Sequence, residues 1–297
     1  MRTIVDAHHH LWDNSRHHYP KLFAGANDAK RSYGSMSTHL ARNYLVADFM
    51  ADIGNQPVVK SVHVQCSYDP QEIVWLQATA DDPASKGFPH GIVSWVDFLS
   101  AGIERTLEDQ ATFKNFRGVR NTVASHPDPQ FDRPHAYFIK HPRWREKIGL
   151  LTKYNASLDI AVYDNQMPDL ADLARRHSNL QFVLCHCGYP ADQTPDGLKA
   201  WRAGMSVLAT CPNIAIKISG FGIFDSKWTT ESIRPLVEFM VEKFGVDRCF
   251  FASNFPVDKV FSTYGRIWDS LDEITKQYSE NEQHKLFRGT AEKVYRI

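Results

Sequence analysis

Short apolar runs alternate with longer segments of helical spacing along the whole chain. The longer segments place apolar residues three and four positions apart, as one buried helix face requires. Their bounds are 38–53, 70–81, 100–113, 141–154, 166–177, 196–210, 229–244 and 264–277. The short runs are rich in β-branched and aromatic residues, which is typical of strands. They cover 2–8, 58–65, 90–96, 115–120, 156–163, 180–186, 213–219 and 248–254.

Strand followed by helix, eight times over, predicts a single α/β domain, a (β/α)8 TIM barrel that spans residues 1–297. A capping box at Ser279 and Glu282 opens a last helix that would seal the barrel. Residues 13–37 form a long first loop of the kind that covers an active site. The alternative is an open doubly wound sheet, but no Gly-rich phosphate turn follows the first strand.

Charge and composition narrow the class of partner. The chain has 34 basic and 34 acidic residues and a formal net charge of zero, so neither nucleic acid nor an anionic membrane is expected. A small-molecule substrate fits better, and a homo-oligomer stays open. No apolar run approaches the roughly 18 residues of a membrane span, and the start resembles no signal peptide, which predicts a cytoplasmic protein. The 5 cysteines, an odd number, suit reduced thiols.

The first strand ends in a His-x-His pair. Regular alternation places Asp6, His8 and His10 on one face of the strand and Ala7 and His9 on the other. Two imidazoles side by side can share one metal ion or one substrate. An expression tag is a poor explanation, because the histidines continue directly from a β-branched strand. We therefore predict that His8 and His10 belong to a functional site.

Polar residues also stand at the other strand ends, where a (β/α)8 barrel builds its active site. They are His63, Gln65, Trp95, Asp97, Arg117, Arg120, Asp159, Tyr163, His186, Lys217, Asn254 and Asp258. Lys217 lies between two isoleucines, so its charge requires a partner or a polar cavity. Arg117 and Arg120 have opposite strand parity, and Arg120, nearer the end, is the better inward candidate.

Two of these positions keep alternatives open. His63 fits a hydrogen-bonded core histidine as well as a site residue. Tyr163 could bind substrate hydroxyls or cap the following helix.

Five motifs resemble one known family. They are Asp-Ala-His-His-His-Leu-Trp at 6–12, Arg-Gly-Val-Arg at 117–120, Val-Leu-Cys-His-Cys-Gly at 183–188, Ile-Lys-Ile-Ser-Gly at 216–220 and Phe-Ala-Ser-Asn-Phe-Pro-Val-Asp at 251–258. In this order, and across the whole chain, they look like the lactonase branch of the amidohydrolase superfamily. Members of that branch act on sugar lactones such as fuconolactone and rhamnonolactone, on pyrone dicarboxylate and on muconolactone derivatives. More distant relatives are decarboxylases.

The resemblance assigns roles to several positions. It makes His8 and His10 the first-strand pair that would hold one divalent metal ion such as zinc, His186 the sixth-strand histidine, and Lys217 a basic substrate contact. The superfamily usually ends strand eight with an Asp that acts as base, and this chain has Asn254 there. An amide cannot accept a proton at neutral pH, so the base is Asp258 or a histidine. The strand-five ligand of binuclear members is not evident either, which leaves the metal requirement open.

The expected reaction is hydrolysis of a small lactone. Asp258 or His186 would accept the proton of water, and His10, Lys217 and Arg120 would stabilise the charge on the carbonyl oxygen. The predicted substrate contacts are Lys217, Arg120, Tyr163, Gln65 and Asn254. The rivals are a non-oxidative decarboxylase on the same barrel and a carbohydrate-binding barrel without catalysis.

Overall fold

Eight parallel strands follow one another in chain order around one sheet. The computed structural model describes residues 2–17, 19, 42–128 and 139–297. The strands are β1 (Ile4–His9), β2 (Val58–Val64), β3 (Gly91–Ser94), β4 (Phe116–Thr122), β5 (Ser157–Ala161), β6 (Phe182–Leu184), β7 (Ile214–Ile218) and β8 (Cys249–Phe251). Each matches one predicted run, which confirms the (β/α)8 TIM barrel.

Helices separate the strands and form the outer layer. They are α1 (Val46–Ile53), α2 (Glu72–Asp81), α3 (Ile103–Ala111), α4 (Pro142–Lys147), α5 (Met167–Arg176), α6 (Pro195–Ala209), α7 (Phe221–Phe224), α8 (Thr230–Phe244), α9 (Tyr264–Thr275), α10 (Glu280–His284) and α11 (Thr290–Tyr295). None of the helices in the described ranges is both long and apolar enough to cross a membrane.

The first helix is shorter than predicted. Residues 38–41 lie outside the described residues. Residues 42–45 are not helical, so the predicted start of this helix is wrong for them. Tyr44 instead pairs with Trp12 as an antiparallel bridge, with N–H to O distances of 2.9 and 3.0 Å. These backbone hydrogen bonds tie the end of the first loop to the chain just beyond β1. The predicted covering loop at 13–37 lies mostly outside the described residues.

The edges of the sheet meet through residues beyond the regular strands. His9 forms a parallel bridge with Phe255, and the Asn254 N–H donates to the His8 carbonyl oxygen at 2.7 Å. This contact brings the end of β8 beside the end of β1. The two chain segments with the most distinctive motifs therefore lie next to each other.

Strand β1 contains one extra residue. Asp6 pairs with Ser61 and His9 with His63, so β1 advances by three residues where β2 advances by two. Such a bulge resets the alternation of side chains beyond it. The prediction of regular alternation is therefore wrong for this segment.

The bulge separates Asp6 from the histidines. The Asp6 carboxylate accepts hydrogen bonds from Ser253 Oγ at 2.6 Å and from Tyr264 Oη in α9 at 3.0 Å, so it faces the helical layer. His8 and His10 instead lie together with His186. The prediction that all three β1 residues share one face is wrong for Asp6, because alternation was assumed to be unbroken.

Candidate active site

Three histidines meet at the carboxyl end of the barrel. His8 and His10 come from the end of β1, and His186 follows β6. The Nε2 atoms of His8 and His10 are 3.2 Å apart, and the rings of His8 and His186 have their centroids 4.4 Å apart. All three side chains are buried. The structure thus brings together the three histidines that the sequence predicted.

The backbone sets the tautomer of His10. Its Nδ1 lies 2.7 Å from the Val64 carbonyl oxygen, which can only accept, so Nδ1 carries the proton. Neutral His10 then presents an unprotonated Nε2 to the Nε2–H of His8. His8 Nδ1 is buried and forms no hydrogen bond with any residue that the structure describes. The pair therefore shares one proton between its two Nε2 atoms.

His8 is uncharged at neutral pH. Burial lowers its pKa well below the usual range, and the charge of Lys217 lowers it further. The nearby His186 and His10 act in the same direction. A neutral imidazole in this position can accept or relay a proton.

His186 is held by the chain that follows β7. Its Nδ1 lies 3.0 Å from Ser219 Oγ. Gly220 has a φ of +73°, and a Cβ there would come within 2.7 Å of His186 Nδ1. Glycine is needed for the left-handed backbone and for this close approach. The turn after β7 thus fixes the orientation of the imidazole.

Asn254 and Asp258 form a buried pair after β8. The Asn254 Nδ2 donates to Asp258 Oδ2 at 2.5 Å, and the Gly222 N–H donates to Asp258 Oδ1 at 2.9 Å. Burial raises the pKa of Asp258 to about 7, although both hydrogen bonds oppose that rise. Each carboxyl oxygen of Asp258 therefore already accepts a hydrogen bond from the protein. The pair joins the end of β8 to the start of α7.

Lys217 has a protein partner inside the barrel. Its Nζ lies 2.7 Å from Asp159 Oδ2, and both side chains are completely buried. Asp159 also accepts hydrogen bonds from Tyr295 Oη at 2.7 Å and from Ser157 Oγ at 3.1 Å. The polar cavity expected around Lys217 is thus filled in part by a carboxylate and a phenol. Its predicted role as a substrate contact remains a prediction.

The Arg120 side chain contacts the backbone of Gln65. Arg120 Nη1 donates to the Gln65 carbonyl oxygen at 3.3 Å, while Gln65 Nε2 donates to the Ser67 carbonyl oxygen at 2.7 Å. Arg117, in contrast, donates to the backbone carbonyl of Lys114. The expectation that Arg120 is the inward arginine agrees with this arrangement.

Aromatic rings line the site beside His186. The ring of Tyr189 lies 5.6 Å from that of His186 and 5.5 Å from that of Tyr163, measured between centroids. Tyr163 in turn packs against His126 at 5.3 Å. Tyr163 therefore belongs to the wall next to the histidines. Tyr189 was not predicted as a site residue, because it follows the end of β6 by several residues.

A family model described as Amidohydrolase matches residues 5–297. The chain belongs to the amidohydrolase family. A relative from Sinorhizobium fredii, named "Uncharacterized protein y4mH", is 40% identical, and the alignment covers 99% of each chain. An "L-fucono-1,5-lactonase" from Burkholderia multivorans is 26% identical, over 99% of this chain and 96% of the relative.

A solved amidohydrolase from Burkholderia multivorans, whose structure contains bound zinc, has the same fold. It superposes with a TM-score of 0.81 at 23% identity, and the match covers 99% of both chains. That likeness confirms the barrel of this amidohydrolase.

The His8 and His10 pair supplies two of the ligands that a metal needs. Two nitrogens bound to one tetrahedral zinc ion are about 3.3 Å apart, close to the 3.2 Å between their Nε2 atoms. A catalytic zinc usually has three protein ligands. Among the described residues no third histidine, cysteine or carboxylate joins this pair in a group with ligand atoms within 4.8 Å of one another. His8 Nδ1 also lacks the acceptor that usually orients a metal-bound histidine. The donor set is incomplete.

A second cluster is compact enough to surround a metal ion, but the tautomer of its histidine does not suit one. His63, Cys66 and Glu72 bring their ligand atoms within 4.8 Å of one another. However, the Leu11 N–H donates to His63 Nδ1 at 3.1 Å, so the proton of neutral His63 lies on Nε2 and leaves no nitrogen for a metal. Glu72 accepts hydrogen bonds from the backbone of Cys66 and of Ser67. We interpret the cluster as structural, which matches the core alternative for His63.

Proposed function

We propose that this amidohydrolase opens the ester bond of a small lactone with an activated water molecule. The observation that carries the proposal is the convergence of His8, His10 and His186 at the carboxyl end of the barrel. Hydrolysis of a lactone needs a proton acceptor for water and a polarised carbonyl, and imidazoles can supply both. The relative named L-fucono-1,5-lactonase supports the same class of reaction.

His186 is the proposed general base. Ser219 and Gly220 fix its ring, and the ring stands beside the aromatic wall where a substrate can bind. It takes a proton from water while the water oxygen forms a bond to the carbonyl carbon. The bond from that carbon to the ring oxygen then breaks. The proton passes to the ring oxygen, and the product is a hydroxy acid.

His8 and His10 polarise the carbonyl of the substrate. The Nε2–H of His8, which donates to His10 Nε2 in the free protein, turns to the carbonyl oxygen when substrate binds, because a hydrogen bond to a growing negative charge is strong in a buried site. The charge of Lys217 also acts on the site, although Asp159 partly balances it. Tyr163, Gln65 and Asn254 are the proposed contacts for the rest of the substrate. No step requires a metal ion.

We assign Asp258 a positioning role. Its two oxygens hold the Asn254 amide and the Gly222 N–H, so a water molecule would have to compete with both for the carboxylate. Through these contacts it orients Asn254 and the segment that follows Gly220. Of the two proton acceptors expected from the sequence, Asp258 and His186, the proposal therefore favours His186.

A pH-indicator screen tests the function. Purified protein is mixed with a panel of aldonolactones and muconolactones, and separately with aromatic carboxylic acids. Lactone opening acidifies a weakly buffered solution, whereas decarboxylation releases carbon dioxide and consumes a proton. We expect acidification with at least one lactone. Carbon dioxide release without acidification would instead establish a decarboxylase, and calorimetric binding of lactones without turnover would establish a binding protein.

A further inference from the structure

Arg120 is a buried cation, and most of its N–H donors have no acceptor among the described residues. Its side chain extends from β4, and the residue is 7% exposed. One guanidinium nitrogen donates to the Gln65 carbonyl oxygen at 3.3 Å, and the buried Nε has no hydrogen-bond partner in the described ranges of the chain. Burying a charge and a donor in this way costs free energy unless a partner satisfies them.

The natural partner of Arg120 is already occupied. Asp159 is the residue directly beside it in the pairing of β4 with β5. The Asp159 carboxylate instead binds Lys217, Tyr295 and Ser157. In the described part of the chain no carboxylate forms an ion pair with Arg120. Two buried cations, Arg120 and Lys217, thus lie beside the Asp159 carboxylate, which forms its ion pair with Lys217.

The Arg120 guanidinium lies next to the proposed site. Its Nη1 donates to the Gln65 carbonyl oxygen, and the carbonyl oxygen of the preceding residue, Val64, lies 2.7 Å from His10 Nδ1. A molecule bound against the three histidines would therefore meet the guanidinium.

We propose that the substrate is a lactone that bears a carboxylate, and that this carboxylate pairs with Arg120. The proposal rests on the proposed function, because it names the substrate class of the same site. An aldonolactone carries only hydroxyls, which cannot neutralise a buried guanidinium. A carboxylate can accept from Nε and a terminal nitrogen at once, which is the geometry that arginine favours.

Two matched lactones test the substrate class. One is a γ-butyrolactone with a carboxylate on the ring, and the other has a hydroxymethyl group in its place. The same pair is used with a six-membered ring. We expect wild-type kcat/KM to favour the carboxylated member by at least about 10-fold, since a charge-assisted pair in a buried site exceeds a neutral contact. Equal or better turnover of the neutral member would overturn the proposal.

Variants of Arg120 test the residue. Arg120→Met should remove most of the preference, mainly through a higher KM for the carboxylated lactone. Arg120→Lys keeps the positive charge but not the planar guanidinium, so this variant should keep part of the preference. Arg105→Gln on the exposed face of α3 is the control and should behave as wild type. Preference unchanged in Arg120→Met would contradict the role of Arg120.

A binding measurement separates this proposal from the proposed function. Calorimetry with 2-hydroxyglutarate, the acyclic product of the carboxylated γ-lactone, requires no turnover. We expect Arg120→Met to weaken its binding by about 30-fold or more, as when one partner of a buried charge pair is lost. Arg120-dependent binding without hydrolysis of any lactone would refute the lactonase and keep the anion site. Hydrolysis of neutral lactones without Arg120-dependent binding would keep the lactonase and refute the anion site.

Discussion

The hydrogen-bond partners of individual side chains determine the chemistry that each can perform. The Val64 carbonyl fixes the proton of His10 on Nδ1, and the Leu11 N–H fixes that of His63 on Nε2. The two histidines are both buried, yet only His10 presents an unprotonated Nε2 to the site. Residue type alone could not separate them, because these partners come from distant parts of the backbone.

Asp258→Asn tests the positioning role by kinetics. The amide can still accept from the Gly222 N–H, so we expect kcat to fall by only about 10-fold or less. Loss of a general base should instead cost about 100- to 10,000-fold. Steady-state kinetics on the best lactone, with circular dichroism as a check of folding, decides between the two. A fall of about 1,000-fold in a folded variant would return the base to Asp258.

Asp258 should also make stability depend on pH. Burial raises its pKa from 3.8 in the unfolded chain to about 7 in the folded protein. Between these values the folded state binds more protons, so the free energy of unfolding falls as pH rises, by at most about 1.4 kcal/mol per pH unit from this group. Urea unfolding at pH 5, 6 and 7 should show a smaller decrease for Asp258→Asn. An identical pH dependence in both proteins would contradict the raised pKa.

Strands and helices form as predicted where the apolar periodicity of the sequence is strong. They differ from the prediction where contacts with distant parts of the chain determine the backbone. All eight strands follow from apolar periodicity, since every barrel strand is buried on both sides. The bulge in β1 does not, because it arises from pairing with β2 and leaves no local sequence signal. Asp6 was misplaced for that reason. Prediction from periodicity thus identifies a strand but not its irregularities.

The last helix closes the barrel and reaches its buried charges. Tyr295, at the end of α11, donates to Asp159 and packs against Phe250 with ring centroids 5.8 Å apart. Tyr295→Phe removes this hydrogen bond to a buried carboxylate, and we expect the free energy of unfolding to drop by about 1–3 kcal/mol. Tyr154→Phe, at a half-buried position, is the matched control. Equal stability of both variants in urea titrations would argue against a structural role for the Tyr295 hydroxyl.

Across the molecule, sequence motifs predicted the fold and the meeting of the three histidines, because carboxyl ends of parallel strands share one end of a barrel. They did not predict which charges are already paired. The partner of Lys217 is Asp159, two strands away in the sheet order, and within the described residues Arg120 has no carboxylate partner. Such pairing depends on side-chain direction in three dimensions. The proposed substrate class therefore rests on these side-chain contacts and not on the motifs.

Metal dependence is a property of the intact protein and can be measured directly. Because the described residues supply an incomplete ligand set at His8 and His10, we expect full activity after dialysis against a chelator. Protein without a His tag should contain less than about a tenth of an equivalent of zinc, since two imidazoles bind it more weakly than a complete site. Activity that is lost on chelation and restored by zinc would show that a metal takes part.

The initial rate of lactone opening by His186→Asn tests the central claim most directly. It is compared with wild type and with His284→Asn, a control at the end of α10. The account predicts that kcat of His186→Asn falls by about 100-fold or more while the variant remains folded, and that His284→Asn matches wild type. Near wild-type turnover by folded His186→Asn would contradict the proposal that this histidine activates the water.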